Sequence, residues 1–149
     1  MSILIIEDDE GVRSSIRDVL ETEGYSVEVA QDGGEALRRL QAEPLPSLIL
    51  LDLLMPGMDG EEFRTRQLTD PRTANIPVVV LSARPDGRQR ARRLHAADYL
   101  RKPMSFEELL HVVQNQAITV VNATDSHELV RTIEEAWSAL HRPPSTEKD

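Results

Sequence analysis

Leu48 to Leu51 form an unbroken apolar run that ends abruptly at Asp52, and Pro56, Gly57 and Gly60 follow within eight positions. A short run with no polar alternation is the pattern of a strand covered on both faces, as in a parallel sheet flanked by helices. Pro56 fixes one backbone angle, and Gly57 and Gly60 permit angles that other residues avoid, so a loop is expected directly after the carboxylate. In open parallel sheets, reacting groups gather outside the carboxyl ends of the strands. Asp52 is the first candidate for chemistry.

The pattern recurs along the chain. Ile3 to Ile6 run into Glu7, Asp8 and Asp9; Tyr25 to Ala30 alternate; Pro77 to Leu81 end at Ser82; Tyr99 and Leu100 lead to Lys102 and Pro103. Between these strands the apolar residues take helical spacing. The expected helices run from Gly11 to Glu23 (Val12, Ile16, Val19, Leu20) and from the capping pair Asp32 and Glu35 through Leu40. A third runs from Gly60 to about Leu68 with Phe63 inward, and a fourth, short and basic, from Asp86 to Ala97. The last carries the stripe Phe106, Leu109, Leu110, Val113, Ala117, Val120 and Val121. Five strands alternating with five helices predict an α/β fold with a doubly wound five-stranded parallel sheet.

Composition narrows the function classes. The 149 residues suit one domain with a modest surplus, and no apolar run reaches the roughly 18 residues that span a bilayer, so no membrane association is expected. The start has no basic leader and no small-residue cleavage site, and the expected location is cytoplasmic. The absence of cysteine excludes a disulfide framework, thiolate metal ligands and a cysteine nucleophile. A net charge of −9 argues against direct binding of nucleic acid. Seven of the 17 basic residues nevertheless crowd between Arg84 and Lys102. Two readings stand for that segment: a solvated helix face, or a docking face for an acidic partner.

The expected strand tips carry Glu7 and Asp8, Asp52, Ser82 and Lys102, and a parallel sheet brings such tips to one edge. Three carboxylates at close range resist ionisation unless a cation joins them. An all-oxygen set with open positions suits Mg²⁺, and by ligand type Ca²⁺ or Mn²⁺ as well. An ionised Asp52 can take a phosphoryl group as an acyl phosphate, with metal, ammonium and hydroxyl neutralising the oxygens in transfer. Pro103 would help fix the ammonium's direction, a cis bond being one route.

The fragments Ile-Leu-Ile-Ile-Glu7-Asp8-Asp9, Asp52-Leu-Leu-Met-Pro56-Gly-Met-Asp-Gly60, Pro-Val-Val-Val-Leu-Ser82-Ala83 and Asp98-Tyr99-Leu-Arg-Lys102-Pro103 occur in this order. Asp8 to Asp52 spans 44 residues and Asp52 to Ser82 spans 30. Together they resemble the receiver domain of two-component response regulators, the CheY-like superfamily, over residues 1–121. The resemblance implies phosphorylation of Asp52 by a histidine kinase or a phosphotransfer protein of a relay. It implies Mg²⁺ held by Asp8, Asp52 and the backbone carbonyl of Leu54 with Glu7 in support, phosphoryl oxygens held by Ser82 and Lys102, and Tyr99 as a switch aromatic coupled to Ser82.

Three departures from that pattern carry expectations. Ser82 to Lys102 spans 20 positions, slightly short, so the fourth helix should be trimmed. His95 stands where a left-handed helix cap prefers Gly, at a cost on the order of 1 kcal/mol, so this helix end should fray or terminate differently. Leu54 and Arg84 flank the site where the family varies. Structural readings compete with the functional ones: Glu7, Asp8 and Asp9 as solvated groups ahead of a helix, Ser82 as an N-cap, Tyr99 as ordinary packing.

Beyond the receiver-like part, Asp125 with Glu128 opens an expected extension helix over 122–141, with Leu129, Val130, Ile133, Ala136, Trp137 and Leu140 in a stripe, before a flexible tail over 142–149. That stripe is expected to pack in cis, to pair as a homodimer or to begin a linker to an effector. The expected function is a phosphoacceptor switch, not a turnover enzyme, that signals an output protein through residues 84–121. The alternatives are a Mg²⁺-dependent phosphatase or phosphotransferase with an aspartyl nucleophile, and a receiver-like dimerisation scaffold that works without phosphorylation. The former expects a second Asp where Leu54 stands.

Overall fold

The computed structural model describes residues 1–55, 57–117 and Trp137. Pro56, Val120, Val121 and, apart from Trp137, the expected extension helix and tail lie outside the described residues. The chain divides into two compact units, Met1–Gln114 and Asn115–Asp149, and the sheet belongs to the first.

The strands are β1 (Ser2–Ile6), β2 (Ser26–Ala30), β3 (Leu48–Asp52), β4 (Val78–Ser82) and β5 (Asp98–Arg101), and the helices between them α1 (Glu10–Thr22), α2 (Gly33–Arg39), α3 (Gly60–Thr69) and α4 (Gly87–Arg93). A further helix, α5, begins at residue 106 and is described to 117. All strand pairs are parallel, in the order β2-β1-β3-β4-β5. β3 and β4 are buried at all five positions, as uninterrupted apolar runs require.

Alternation along the strands sorts their side chains into two cores. Leu4, Ile6, Ile49, Leu51, Val78 and Val80 pack with Ala36, Leu40, Phe63 and Ala91 of α2, α3 and α4. Ile3, Ile5, Leu48, Leu50, Val79, Leu81 and Leu100 pack with Ile16, Leu20, Leu109, Val112 and Val113 of α1 and α5. Helix starts follow the capping logic: the Asp9 carboxylate accepts from the Val12 N–H at 2.9 Å, that of Asp32 from Glu35 at 2.8 Å, and that of Asp59 from Glu62 at 2.8 Å.

α3 enters by an unusually close approach to the end of β3, the strand that carries Asp52. A Cβ on Gly60 would stand 2.7 Å from the Asp52 carbonyl oxygen and 2.8 Å from the Leu53 Cα. Only glycine leaves room there.

α4 is trimmed to seven residues, shorter than the Asp86 to Ala97 span expected, and Ser82 does not cap it: the cap is Asp86, with no side-chain hydrogen bond. The expectation that this helix end frays or terminates differently at His95 is overturned. His95 adopts φ 54°, and its N–H donates to the Arg92 carbonyl at 3.1 Å while Ala96 donates to Ala91 at 3.0 Å. That is the closure a glycine would make. What holds it is Arg64 of α3, 5% exposed. Its guanidinium donates to the carbonyls of Leu94 at 3.0 Å and His95 at 3.1 Å, and to Gln67 Oε1 at 2.8 Å. Gln67 in turn donates to the Thr73 and Ile76 carbonyls, both at 3.0 Å. Burial lowers the Arg64 pKa from its ordinary value.

Arg64→Leu strips donors from the buried Gln67 amide and from two half-buried carbonyls, and is expected to lower the unfolding free energy by about 1–3 kcal/mol, read from the urea midpoint. His95→Gly is expected to raise it by roughly 0.5–1 kcal/mol, since the left-handed cap then carries no Cβ. An unmoved midpoint in Arg64→Leu would mean that water serves the carbonyls equally well.

Candidate functional site

Parallel register places the strand ends side by side. Ile6 is opposite Leu51, Asp52 opposite Leu81, and Ser82 opposite Arg101. The residues just past these positions therefore share one edge of the sheet. Glu7, Asp8 and Asp52 each bring a carboxylate oxygen within 4.8 Å of the others. Glu7 and Asp52 are 1% and 5% exposed, while Asp8 faces solvent. Lys102 joins them from β5: its ammonium donates to Glu7 Oε2 at 2.5 Å and to Asp52 Oδ2 at 3.3 Å. The peptide bond between Lys102 and Pro103 is cis.

Backbone groups fix the carboxylates. Asp52 Oδ1 accepts from the Leu54 N–H at 3.0 Å, and Glu7 Oε1 from the Asp9 N–H at 3.3 Å. Asp52 Oδ2, beside Lys102, is the oxygen left for other partners. The Ser82 hydroxyl is buried at 1% exposure and accepts from the Arg84 N–H at 3.1 Å. Tyr99 reaches toward the same residue, donating its phenol to the Ser82 carbonyl at 3.2 Å. Leu54 turns its side chain outward, 51% exposed.

Of the Glu7-Asp8-Asp9 triplet, the structure gives Asp9 to the helix cap and brings the other two into one cluster with Asp52. Two participants escaped the sequence. Arg13 donates to the Glu7 carbonyl at 2.9 Å from the second turn of α1, a spacing that no motif encodes. Gly87 lies against Tyr99 and Ser82, and its place at a helix start gave no signal.

Electrostatics set the chemistry. Burial drives the Glu7 pKa up to about 7 from an ordinary 4.5, with the Asp52 charge adding to the rise and Lys102 opposing it. For Lys102, burial by itself would lower the pKa, but the Glu7 hydrogen bond and the Asp52 charge outweigh it and raise it. The ammonium thus stays charged beside Glu7 and Asp52, and once Glu7 gives up its proton the cluster carries more negative than positive charge, which an additional hard cation would relieve. An open hollow of about 390 Å³ adjoins Lys102, walled by Val12, Ile16, Pro103, Met104, Phe106 and Leu109 among others.

A doubly wound parallel sheet with clustered carboxylates, a buried hydroxyl and a bridging ammonium at its strand tips defines an α/β protein of the flavodoxin-like class. Residues 3–114 match the response regulator receiver domain, and the chain belongs to that family, the receivers of two-component systems. It is 46% identical over 110 residues to the response regulator MprA of Mycolicibacterium vanbaalenii, covering 72% of this chain and 46% of that protein. With MprA of Mycobacterium leprae it shares 37% identity over 148 residues, covering 98% of this chain and 62% of the relative. The chain thus spans about half the length of the relatives it matches.

Among solved structures, the chemotaxis protein CheY4 of Vibrio cholerae superposes with a TM-score of 0.71 at 30% identity, covering 76% of this chain and 96% of that one. The receiver domain of a signal transduction histidine kinase from Syntrophus aciditrophicus gives 0.73 at 32%, covering 80% and 91%.

The raised Glu7 pKa has a definite sign for stability. Between pH 4.5 and about 7 the folded state holds a proton that the unfolded chain has released, so the unfolding free energy falls as pH rises through that window. In metal-free buffer the wild type is expected to lose up to about 3 kcal/mol between pH 4.5 and 8, and Glu7→Gln to lose much less. Urea unfolding at the two pH values checks this, and equal losses in both proteins would refute it.

Proposed function

We propose that the chain is a phosphoacceptor switch that takes a phosphoryl group onto Asp52 from a histidine kinase or a phosphotransfer protein. The observation that carries this reading is the Asp52 carboxylate, one oxygen tied to the Leu54 N–H and the other held beside the Lys102 ammonium. Asp52 Oδ2 attacks phosphorus, an O–P bond forms, the donor's P–N bond breaks, and the leaving imidazole keeps the electron pair and takes a proton. Lys102 is placed to follow the charge from the carboxylate onto the phosphoryl oxygens.

Glu7, Asp8 and Asp52, with the Leu54 carbonyl that the family pattern adds, would hold Mg²⁺, which when bound neutralises charge on the transferring group. The oxygen-only donor set and the unmatched negative charge support that choice of ion. The hollow beside Lys102 offers an apolar approach for the donor protein, whose reacting group must pass this edge.

Output follows from the second half of the fold. A phosphoryl on Asp52 draws the Ser82 hydroxyl, the Tyr99 phenol follows the Ser82 carbonyl, and the surface formed by residues 84–121 changes its affinity for an output protein or a second copy. In this reading the protein signals and does not turn over a metabolite. The exposed Leu54 supports it, because an aspartyl phosphatase needs an acid at that position. No helix among the described residues is long and apolar enough to cross a membrane, and we place the switch in the cytoplasm, where its phosphoryl donors work.

Intact mass after treatment with acetyl phosphate and Mg²⁺ is expected to rise by one phosphoryl group in the wild type and not in Asp52→Asn. An equal gain in the variant would end the assignment. Mg²⁺ alone is expected to raise the thermal midpoint more at pH 8 than at pH 5, because the carboxylates must lose their protons to bind it. Equal shifts at both pH values would remove the carboxylate cluster as the metal site.

A further inference from the structure

The loop Glu7-Asp8-Asp9 joins β1 to α1, and its three carboxylates are held in different ways. Glu7 is fixed by Lys102 and by the Asp9 N–H, and Asp9 by the Val12 N–H that it caps. Asp8 faces solvent, and its carboxylate forms no hydrogen bond or ion pair among the described residues. Its place beside Glu7 and Asp52 therefore depends on the backbone that carries it.

Past Ile6 that backbone has left the sheet. The last pairs of β1 are Ile6 with Ala30 and Ile6 with Leu51, and the Glu7 N–H still donates to the Ala30 carbonyl at 3.1 Å. The Glu7 carbonyl, which belongs to the peptide unit leading into Asp8, receives no backbone N–H among the described residues. The Arg13 guanidinium takes it instead: its Nη1 donates to the Glu7 carbonyl at 2.9 Å and makes a longer, weaker contact with the Asp8 carbonyl at 3.5 Å. One side chain thus holds the peptide units on both sides of the Asp8 Cα.

Helix stability does not account for an arginine here. Arg13 is the fourth residue of α1, near the end where a helix disfavours cations. Asp9 and Glu10 stand four and three residues before it, yet among the described residues it pairs with neither, and its guanidinium turns to neutral carbonyls. A cation is also the wrong charge to set near a metal site, because its repulsion of a divalent ion weakens binding. Arg13 serves such a site only if its hold on the loop outweighs that repulsion.

We infer that Arg13 is a positioning residue for the metal: it fixes the peptide units around Asp8, so that this exposed carboxylate is already in place beside Glu7 and Asp52 when the cation arrives. The inference rests on the metal site of the proposed function and not on the phosphoryl transfer. An Asp8 free to swing must be ordered as the ion binds, whereas one held beforehand need not be, and the difference appears as metal affinity. Arg13 touches neither the metal nor the phosphoryl group and acts through Asp8.

A cycle of three variants tests this: Arg13→Met, Asp8→Asn and the two together, each titrated as the full chain with Mn²⁺ while the electron paramagnetic resonance signal of the free ion is followed. Methionine keeps the apolar stem and removes the guanidinium. Arg13→Met is expected to bind Mn²⁺ about tenfold more weakly, although loss of a positive charge alone would tighten binding. In the Asp8→Asn background the same change is expected to have no further effect, because the carboxylate it positions is gone. Labelling of Arg13→Met by acetyl phosphate should need about tenfold more Mg²⁺ to reach half its maximal rate, with the rate at saturating Mg²⁺ close to that of the wild type.

Equal or tighter Mn²⁺ binding in Arg13→Met would overturn the inference. So would an equal loss with and without the Asp8 carboxylate, or a lower urea midpoint at unchanged affinity, since either makes Arg13 a prop of the fold alone. A fall in the saturating rate with no change in the Mg²⁺ requirement would place Arg13 in the transfer step and equally refute it. Should Arg13→Met not fold, Arg13→Lys enters the same cycle: its point ammonium lacks the planar fork, a smaller loss that depends on Asp8 is expected, and the same outcomes decide. Mn²⁺ binding that Asp8→Asn leaves unchanged would remove the metal site and this inference together. Wild type that binds Mn²⁺ through Asp8 but takes no label would sink the phosphoacceptor reading and leave the role of Arg13 standing.

Discussion

One ammonium, on Lys102, bridges Glu7, 95 residues away in sequence, and Asp52, 50 residues away. These contacts link side chains at the ends of three strands whose alignment the sheet's backbone pairing sets. A buried carboxylate facing a second one is costly to ionise, and a single half-buried cation compensates only part of that cost. The cluster is thus neither a relaxed ion pair nor an empty cavity. It keeps carboxylates and one ammonium packed together at the open edge of the sheet, the arrangement on which the proposed metal and phosphoryl chemistry rests.

Much of the sheet could be read from the residues. Runs such as Leu48 to Leu51 and Val78 to Leu81 have no polar alternation, and a strand buried on both faces tolerates nothing else. Once five such strands are parallel, their carboxyl ends must share an edge, so the convergence of Glu7, Asp8, Asp52, Ser82 and Lys102 followed from topology. Asp9 could not be separated from its neighbours in that way. Three adjacent acids look alike in sequence, and only the position of the first helical turn gives one of them to the cap.

Other features were hidden because they depend on long-range packing. Arg64 and Gln67 lie on α3 among Glu, Arg and Thr residues, and nothing in that pattern marks two polar side chains as buried. They serve the buried Thr73 and Ile76 carbonyls and the half-buried Leu94 and His95 carbonyls, which lie beyond α3 in sequence and so leave no trace in its pattern. The same network explains His95. A left-handed residue with a Cβ is locally unfavourable, but two carbonyls at that helix end are held by a buried guanidinium, and tertiary structure overrides local preference.

These facts make α4 the element most open to bias. At seven residues it is too short to be stable alone, and its N-cap carboxylate is bound by Arg84 and Arg90 and does not cap the backbone. Its ends are held from outside instead, by Arg64 at one and by the Gly87 and Tyr99 contact at the other. The second of these supports leads to the Ser82 carbonyl and so to the strand tip beside Asp52. A helix with little stability of its own takes the arrangement its supports dictate, so a small displacement at Ser82 can move a charged surface without disturbing either core.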